Sequence, residues 1–150
     1  MSEIPVSVKI KLITKTAKMP EKMSDFSAGY DIYSDNESDI NLKPMQRVLI
    51  PSGFCIALPI GFEAQIRPRS GLAINNGITV LNAPGTIDSD YRGEVKIILI
   101  NLSDCDFTIK PIMRIAQMII CKHENVNFEI VDDIDETKRG CGGFGHTNTL

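Results

Sequence analysis

The sequence lacks the features that define several large protein classes. None of its apolar runs approaches the roughly 20 residues of a membrane-spanning helix, so we expect no membrane partner. Residues 1–5 lack the basic and apolar regions of a secretory signal. No C-x-x-C pair is present, which argues against a zinc site. The cysteines are Cys55, Cys105, Cys121 and Cys141, and the first three stand in or beside apolar stretches typical of a core. Together these features predict a protein of the reduced cytoplasm.

Positive charge is also scarce. Lys and Arg number 16 against 19 Asp and Glu, and the net charge is −3 at pH 7. Domains that bind nucleic acid by attracting phosphate are usually markedly basic, so we expect no nucleic-acid partner. A small anionic ligand is not excluded, because it needs only a local cluster of donors. The H-x-E and P-C-x-x-C motifs of the zinc deaminases are missing as well.

What is present is a series of short apolar runs separated by Gly and Pro turns. Residues 4–12 alternate between apolar and polar, which predicts a half-buried strand. Further strand-like runs occupy 47–50, 54–58, 63–67, 78–81, 95–101, 107–109, 115–122 and 128–131. This pattern favours an all-β sandwich or barrel, with one short helix at 70–75 that Ser70 would cap. A chain of 150 residues, 43% of them hydrophobic, predicts one domain over 1–136, followed by a flexible Gly-rich tail at 137–150.

One polar stretch, NAPGTIDSDYRG at residues 82–93, lies between two of the apolar runs. Its Asn82 amide can both donate to and accept from the edge of a nucleobase. Tyr91 can lie flat under a sugar or a ring. Asp88 and Asp90 can polarise a water or help to hold a metal. The residues alone leave a plain polar hairpin open as the alternative.

This stretch resembles the central motif of the homotrimeric dUTP diphosphatases (dUTPases). Four further motifs of that family follow the expected order along the chain. They are AGYDIYS at 28–34, PRSGLA at 68–73, RIAQMI at 114–119 and RGCGGFG at 139–145. The resemblance therefore covers nearly the whole chain. It implies a distorted jelly-roll β-sandwich or barrel that forms a homotrimer, with the C-terminal tail exchanged over neighbouring active sites.

The resemblance also implies a reaction. The enzyme would hydrolyse dUTP to dUMP and pyrophosphate with Mg²⁺, which limits uracil in DNA and supplies dUMP for dTMP synthesis. Asp88 would be the general base that activates water for attack on the α-phosphorus, while Asp90 would be structural. Uracil would meet Asn82 and main-chain groups near Thr86, Ile87 and Lys96. Tyr91 would pack under the sugar and leave no room for a 2′-hydroxyl.

The other motifs would hold the polyphosphate and its metal ion. Arg69 suits a bidentate phosphate contact, and backbone N–H groups at Ser70 and Gly71 favour an anion, although the residues alone also fit a common turn. The family resemblance adds Gln117 as a phosphate contact, although a lone glutamine on an apolar strand could equally be a satisfied edge residue. Asp31 would place Mg²⁺ through water, which suits an ion that keeps several waters.

The tail would complete the site. It is not a Walker loop, because no Gly-Lys-Ser/Thr follows it. By resemblance, Arg139 would meet the terminal phosphate, Gly143 would let the backbone approach, and Phe144 would stack on the base. The motif departs from the commoner form at Cys141, where Ser or Thr is usual, and at His146-Thr147.

Two other functions stay open. A dCTP deaminase, or a bifunctional deaminase and diphosphatase, shares this fold and deoxynucleotide site but would release ammonia. A non-catalytic jelly-roll module would bind nucleotide without turnover. The complete tail motif and the 82–93 stretch favour the diphosphatase.

Overall fold

A computed structural model describes residues 5–144 of the chain. These residues form eleven β-strands and one α-helix. In chain order the elements are β1 (Lys9–Leu12), β2 (Tyr30–Tyr33), β3 (Ile40–Leu42), β4 (Arg47–Pro51), β5 (Phe54–Ala57), β6 (Phe62–Arg67), α1 (Ser70–Asn76), β7 (Ile78–Val80), β8 (Gly85–Ile87), β9 (Lys96–Asn101), β10 (Phe107–Ile109) and β11 (Arg114–Lys122). The all-β prediction is confirmed. No helix among the described residues is long and apolar enough to cross a membrane.

The strands form four antiparallel sheets. The largest has the order β2-β11-β6-β8, and a second has the order β4-β9-β7. Two smaller sheets pair β1 with β5 and β10 with β3. Strands that are neighbours in a sheet are often far apart in sequence, so most of the pairing is set by the tertiary fold.

One apolar core lies among these sheets. Its largest fully buried side chains include Phe54, Ile32, Leu42, Ile50, Ile78, Ile97 and Leu99. Strand β9 contributes to this core with most of its length, since Ile97 and the last three of its residues are buried. Burial on both faces explains why this strand is a nearly continuous apolar run rather than an alternating one.

Three local predictions are wrong in part. Within the described part of 4–12, only Lys9–Leu12 is a strand; Leu12 is exposed, and Ile4 lies outside the described residues. Residues 128–131 form no strand and are exposed, because within residues 5–144 no strand lies beside them to pair with. The N-cap residue of helix α1 is Arg69, whose side chain makes no capping hydrogen bond. Ser70 is therefore the first residue of the helix and not its cap.

The cysteines also differ from expectation. All four are free, and none is fully buried. Cys105 is exposed in the turn before β10, where a hydrogen bond to the Asp104 carboxylate raises the pKa of its thiol.

Candidate functional site

The 82–93 stretch connects two paired strands but also joins a different sheet. β7 and β9 pair antiparallel, with Val80 opposite Leu99, so the two ends of the connection are fixed side by side. Between them, β8 leaves this sheet and pairs with β6, with Ile87 opposite Ala64. The connection is therefore held at three places, which a simple surface hairpin would not need.

A cavity of about 310 Å³ lies against this connection. Its lining residues are Leu49, Thr86, Ile87, Asp88, Tyr91, Glu94, Lys96 and Ile98. Five of the eight are predicted site residues, namely Thr86, Ile87, Asp88, Tyr91 and Lys96. The other three were missed: Leu49 and Ile98 add apolar surface from β4 and β9, and Glu94 adds a carboxylate. No local sequence pattern identifies Leu49 or Ile98 as a site residue, whereas Glu94 directly follows the 82–93 stretch in the sequence.

Short-range contacts hold the ring of Tyr91 in place. Its hydroxyl donates to the Glu94 carbonyl at 3.0 Å, and its backbone N–H donates to the Asp88 carbonyl at 3.1 Å. A Cβ atom at Gly93 would lie 2.6 Å from Tyr91 Cζ, so only glycine lets the ring adopt this position. The Arg92 guanidinium braces the turn by donating to the Ser89 carbonyl at 2.7 Å. The Tyr91 ring thereby becomes a fixed wall of the cavity.

Asp88, predicted to activate the attacking water, and Asn82, predicted to meet uracil, lie at the surface of the 82–93 connection. Asp88 is exposed, and within residues 5–144 its carboxylate makes no hydrogen bond or ion pair. It is therefore free to accept a proton from a water. Asn82 is also exposed and does not line the cavity, but its side chain lies over the start of β8, where a Cβ at Gly85 would be 3.1 Å from its Nδ2.

A second group of predicted residues is centred on Asp31. This carboxylate is 9% exposed, and its Oδ2 pairs with Arg69 Nε at 3.1 Å and Arg114 Nη1 at 3.3 Å. Arg69 Nη1 also donates to the carbonyl of Arg114 at 2.9 Å. Arg114, the first residue of the RIAQMI motif, thus belongs to the same cluster. Two guanidinium groups and one carboxylate leave a local excess of positive charge, which suits an anionic ligand.

Strand pairing explains why these residues meet. β11 is a central strand with β2 on one side and β6 on the other, and Gln117 lies opposite both Asp31 and Arg67. Gln117 is therefore not an edge residue. Its Nε2 donates to the carbonyl of Pro68 at 2.9 Å, and its side chain fills the space that a Cβ at Gly29 would need. Ser70 and Gly71 follow directly on the surface, at the start of α1.

The Asp31 cluster can take part in binding a divalent cation only in a limited way. No group of three His, Cys, Asp or Glu residues suited to a metal ion occurs within residues 5–144. Oδ2 of Asp31 already faces two guanidinium groups. A single, paired carboxylate fits a water-mediated contact to an Mg²⁺ ion held mainly by substrate phosphates, and does not fit a preformed metal site.

The cavity and the Asp31 cluster share no residue. The cavity is lined from β4, β8, β9 and the loop before β9, whereas the cluster is built from β2, β11 and the segment before α1. The described residues thus present two groups of candidate site residues.

The tail residues form tight turns of their own. Arg139 Nε donates to the carbonyl of Gly142 at 2.7 Å, and the N–H of Gly142 donates to the carbonyl of Arg139 at 3.0 Å. Phe144 is fully exposed, and around Gly143 a Cβ would meet no atom within 4 Å. Within residues 5–144 the tail motif is thus not brought to either group. Gly145, His146 and Thr147 lie outside the described residues.

Comparison with known proteins gives one consistent result. The family model for dUTPase matches residues 15–148. The chain is 55% identical over 147 residues to a deoxyuridine 5'-triphosphate nucleotidohydrolase of Rickettsia bellii, covering 98% of this chain and 97% of the relative. It is 54% identical over 143 residues to the protein of the same name from Orientia tsutsugamushi, covering 93% and 97%.

The fold has solved counterparts. A mutant dUTPase of Staphylococcus bacteriophage 80alpha, solved with dUpNHpp, superposes with a TM-score of 0.86. The match covers 94% of this chain and 98% of the phage protein at 24% identity. At this identity the likeness concerns the fold alone.

Proposed function

This chain belongs to the dUTPase family and is a dUTP diphosphatase. From that premise we propose that it forms dUMP and pyrophosphate by water attack on the α-phosphorus. The observation that carries the proposal is the cavity of about 310 Å³, in which the side chains of Asp88, Tyr91 and Lys96 converge. This volume is at the small end for ligand pockets, which suits a single nucleoside. Identity of 55% to a nucleotidohydrolase supports the same reaction here.

The cavity and the adjoining start of β8, over which the Asn82 side chain lies, hold the deoxyuridine part of the substrate. Uracil lies against β8, where Asn82 and main-chain groups of Thr86 and Ile87 read its polar edge. A methyl group at position 5 is excluded by the narrow space beside this strand. The ring of Tyr91, fixed over Gly93, packs under the sugar and rejects a 2′-hydroxyl by sterics. A wrong base would leave a buried polar group unpaired, at a cost of about 1–3 kcal/mol.

The Asp31 cluster holds the triphosphate. Arg69 and Arg114 supply guanidinium groups whose charge Asp31 balances only in part. Gln117 and the backbone N–H groups of Ser70 and Gly71 complete the set of donors. When phosphate oxygens arrive, the guanidinium groups can exchange part of their contact with Asp31 for contact with the substrate.

The Asp31 cluster would hold Mg²⁺ together with the nucleotide. Asp31 would hold it through water, and the substrate phosphates would supply the direct ligands. When bound, the ion would neutralise the charge that develops on the polyphosphate.

Asp88 performs the proton transfer. Its carboxylate, free of partners within residues 5–144, takes one proton from the attacking water. The water oxygen forms a bond to the α-phosphorus while the bond from that phosphorus to the α,β-bridging oxygen breaks. The electron pair leaves with pyrophosphate, whose charge the arginines stabilise.

The tail closes the site. Arg139 contacts the terminal phosphate, Gly143 allows close approach of the backbone, and Phe144 stacks on the base. Support comes from the exposure of Phe144, which touches no wall in this chain. Closure over nucleotide would exclude bulk water from the site.

The active form is a homotrimer whose sites combine residues of neighbouring subunits. The first support is that the tail motif, assigned to the same site, makes only local contacts within residues 5–144, where Arg139 binds Gly142 and Phe144 is fully exposed. The second is the segment at 126–134, in which five apolar side chains are exposed, among them Phe128 at 91% and Ile130 at 100%. Such a segment would normally be covered by protein.

We propose a contact surface for this segment on the same fold. An apolar cavity of about 430 Å³ is lined by Val6, Val8, Ile10 and neighbouring residues. Lys22 is among its lining residues, whereas the 124–136 segment is rich in Asp and Glu. We therefore infer that segment 126–134 of one subunit packs on this face of the next.

All four cysteines are free, which fits work in a reducing cytoplasm.

The test is to incubate the purified protein with Mg²⁺ and dUTP, UTP, dTTP or dCTP in separate reactions, and to measure pyrophosphate and ammonia. We expect pyrophosphate from dUTP alone. Asp88→Asn should lower kcat about a hundredfold to ten-thousandfold while nucleotide still binds, because the base is lost and the shape is kept. Asp90→Asn, two residues away and also exposed, is the matched control and should act far less strongly.

The same experiment separates the rival functions. Ammonia released from dCTP would replace the diphosphatase by a deaminase of the same fold. Nucleotide binding without turnover of any of the four substrates would leave a non-catalytic binding module. Full activity in Asp88→Asn would remove Asp88 from the mechanism.

A further inference from the structure

Glu94 and Lys96 place opposite charges on the wall of the cavity. Both line it, and Lys96 Nζ lies 3.5 Å from Glu94 Oε2. Residues two apart in an extended segment share a face, which is how the pair forms at the start of β9. The Glu94 carboxylate would repel an anionic substrate. Its presence in a cavity that Asp88 also lines therefore needs a physical explanation.

The carboxylate of Glu94 is anchored from a distant part of the chain. Its Oε1 accepts the backbone N–H of Gly53 at 2.9 Å, in the turn between β4 and β5. Only 18% of its side chain is exposed, against 46% for Lys96. Glu94 is therefore the fixed member of the pair, and Lys96 is the member whose position it sets.

The next residue, Val95, also restricts the backbone just before β9. Val95 is fully buried, its N–H donates to the carbonyl of Phe54 at 2.9 Å, and its carbonyl accepts the hydroxyl of Ser52 at 2.5 Å. The backbone at Glu94 therefore has little freedom. Its carbonyl is the acceptor for the hydroxyl of Tyr91 at 3.0 Å.

Glu94 thus contacts two lining residues at once, Tyr91 through its backbone and Lys96 through its side chain. We propose that Glu94 is a positioning residue for nucleoside recognition, which fixes the Lys96 ammonium in the cavity wall and so reserves it for the nucleoside rather than for phosphate. This inference rests on the proposed function, because it assigns the cavity to the deoxyuridine part of dUTP. The pair also neutralises a carboxylate that would otherwise repel the substrate.

The test is Glu94→Gln, which removes the charge but keeps an oxygen that can accept from Gly53. The backbone carbonyl that binds Tyr91 is unchanged. We expect the Kd for dUMP and the KM for dUTP to rise about fivefold, as for the loss of a half-exposed ion pair. The kcat should change less than about twofold, because the pair acts on binding and not on the reacting atoms.

Lys96→Met and the double variant Glu94→Gln/Lys96→Met show whether Glu94 acts through Lys96. If it does, the double variant should bind dUMP as weakly as Lys96→Met alone. The single Lys96→Met variant also tests the pair should Glu94→Gln fail to fold. Glu63→Gln is the matched control, because Glu63 is likewise half-buried and accepts a hydrogen bond, from Gln65 at 2.8 Å, but does not line the cavity.

Two results would overturn the inference: an unchanged Kd for dUMP in Glu94→Gln, or additive effects in the double variant. Binding of dUMP is measured without turnover, so the two proposals fail separately. Wild-type protein that hydrolyses dUTP while Glu94→Gln binds dUMP normally would refute the role of Glu94 alone. Wild-type protein that binds dUMP in a Glu94-dependent way but hydrolyses no dUTP would refute the proposed reaction alone.

Discussion

Three carboxylates near the candidate site differ in what surrounds them. Asp31 faces two guanidinium groups, Glu94 faces a backbone N–H and a lysine, and Asp88 has no partner within residues 5–144. Charge partners hold a carboxylate in one place, whereas a carboxylate without partners can exchange protons with water. Asp88, the carboxylate without a partner within residues 5–144, is the residue that the resemblance to the dUTPases assigns as the general base.

At the residue scale, Tyr33 gives a pH-dependent prediction. Burial and the hydrogen bond from its hydroxyl to Glu21 Oε2 at 3.1 Å raise the pKa of the phenol. Because the folded pKa lies above the unfolded one, this stabilisation is complete below about pH 10 and is lost as the pH rises through the folded value. Tyr33→Phe should therefore cost about 1 kcal/mol at pH 8 and less near pH 11.

Urea unfolding of wild type and Tyr33→Phe at the two pH values measures this difference. Glu21→Gln, which removes the charge of the acceptor, should also weaken the dependence on pH. A cost of Tyr33→Phe that is equal at both pH values would contradict the assignment of the shift to the folded state.

At the scale of the element, the 82–93 connection depends on one glycine. Gly93→Ala would bring a Cβ to within 3.0 Å of Tyr91 Cε2 and closer to Cζ, so the ring must move. We expect the Kd for dUMP to rise about tenfold and the free energy of unfolding to fall by about 1–3 kcal/mol. Calorimetric binding and urea unfolding check the two effects.

Gly71→Ala is the control for stability in this experiment. A Cβ at Gly71 would meet no atom within 4 Å, and alanine favours the helix in which this residue lies. Its free energy of unfolding should not fall. Normal dUMP binding by Gly93→Ala would mean that the Tyr91 ring is not a wall of the nucleoside site.

At the scale of the whole molecule, the exposed segment at 126–134 predicts assembly. Phe128→Ser together with Ile130→Ser should weaken the trimer about a hundredfold or more, because each side chain would give up burial worth about 1.5–3 kcal/mol. Sedimentation velocity should show a shift from trimer to monomer, and dUTP turnover should fall with it if each site needs two subunits.

Ile60→Ser is the matched control, since Ile60 is 95% exposed but lies in the turn before β6. It should leave the sedimentation coefficient unchanged. A double variant that remains fully assembled, or a wild type that is an active monomer, would contradict the trimer and the shared site.

The sequence alone determined most of the fold class and most of the residues that line the candidate cavity. Runs such as 47–50 and 107–109 carry apolar residues next to turn signals, so β4 and β10 were predicted within one residue. Motif order identified the family, and five of the eight residues that line the cavity came from one motif and its flank. These properties depend on neighbouring residues, and local patterns record them.

Only the tertiary structure decided what depends on distant partners. β8 was missed because it exists through pairing with β6, about 20 residues earlier in the chain. Residues 128–131 look like a strand but have no neighbouring strand within residues 5–144. The anchoring of Glu94 by Gly53 and the pairing of Arg114 with Asp31 join residues far apart in sequence. Hydrogen bonds and ion pairs act over about 3 Å in space, and no local sequence pattern states which distant groups will reach that distance.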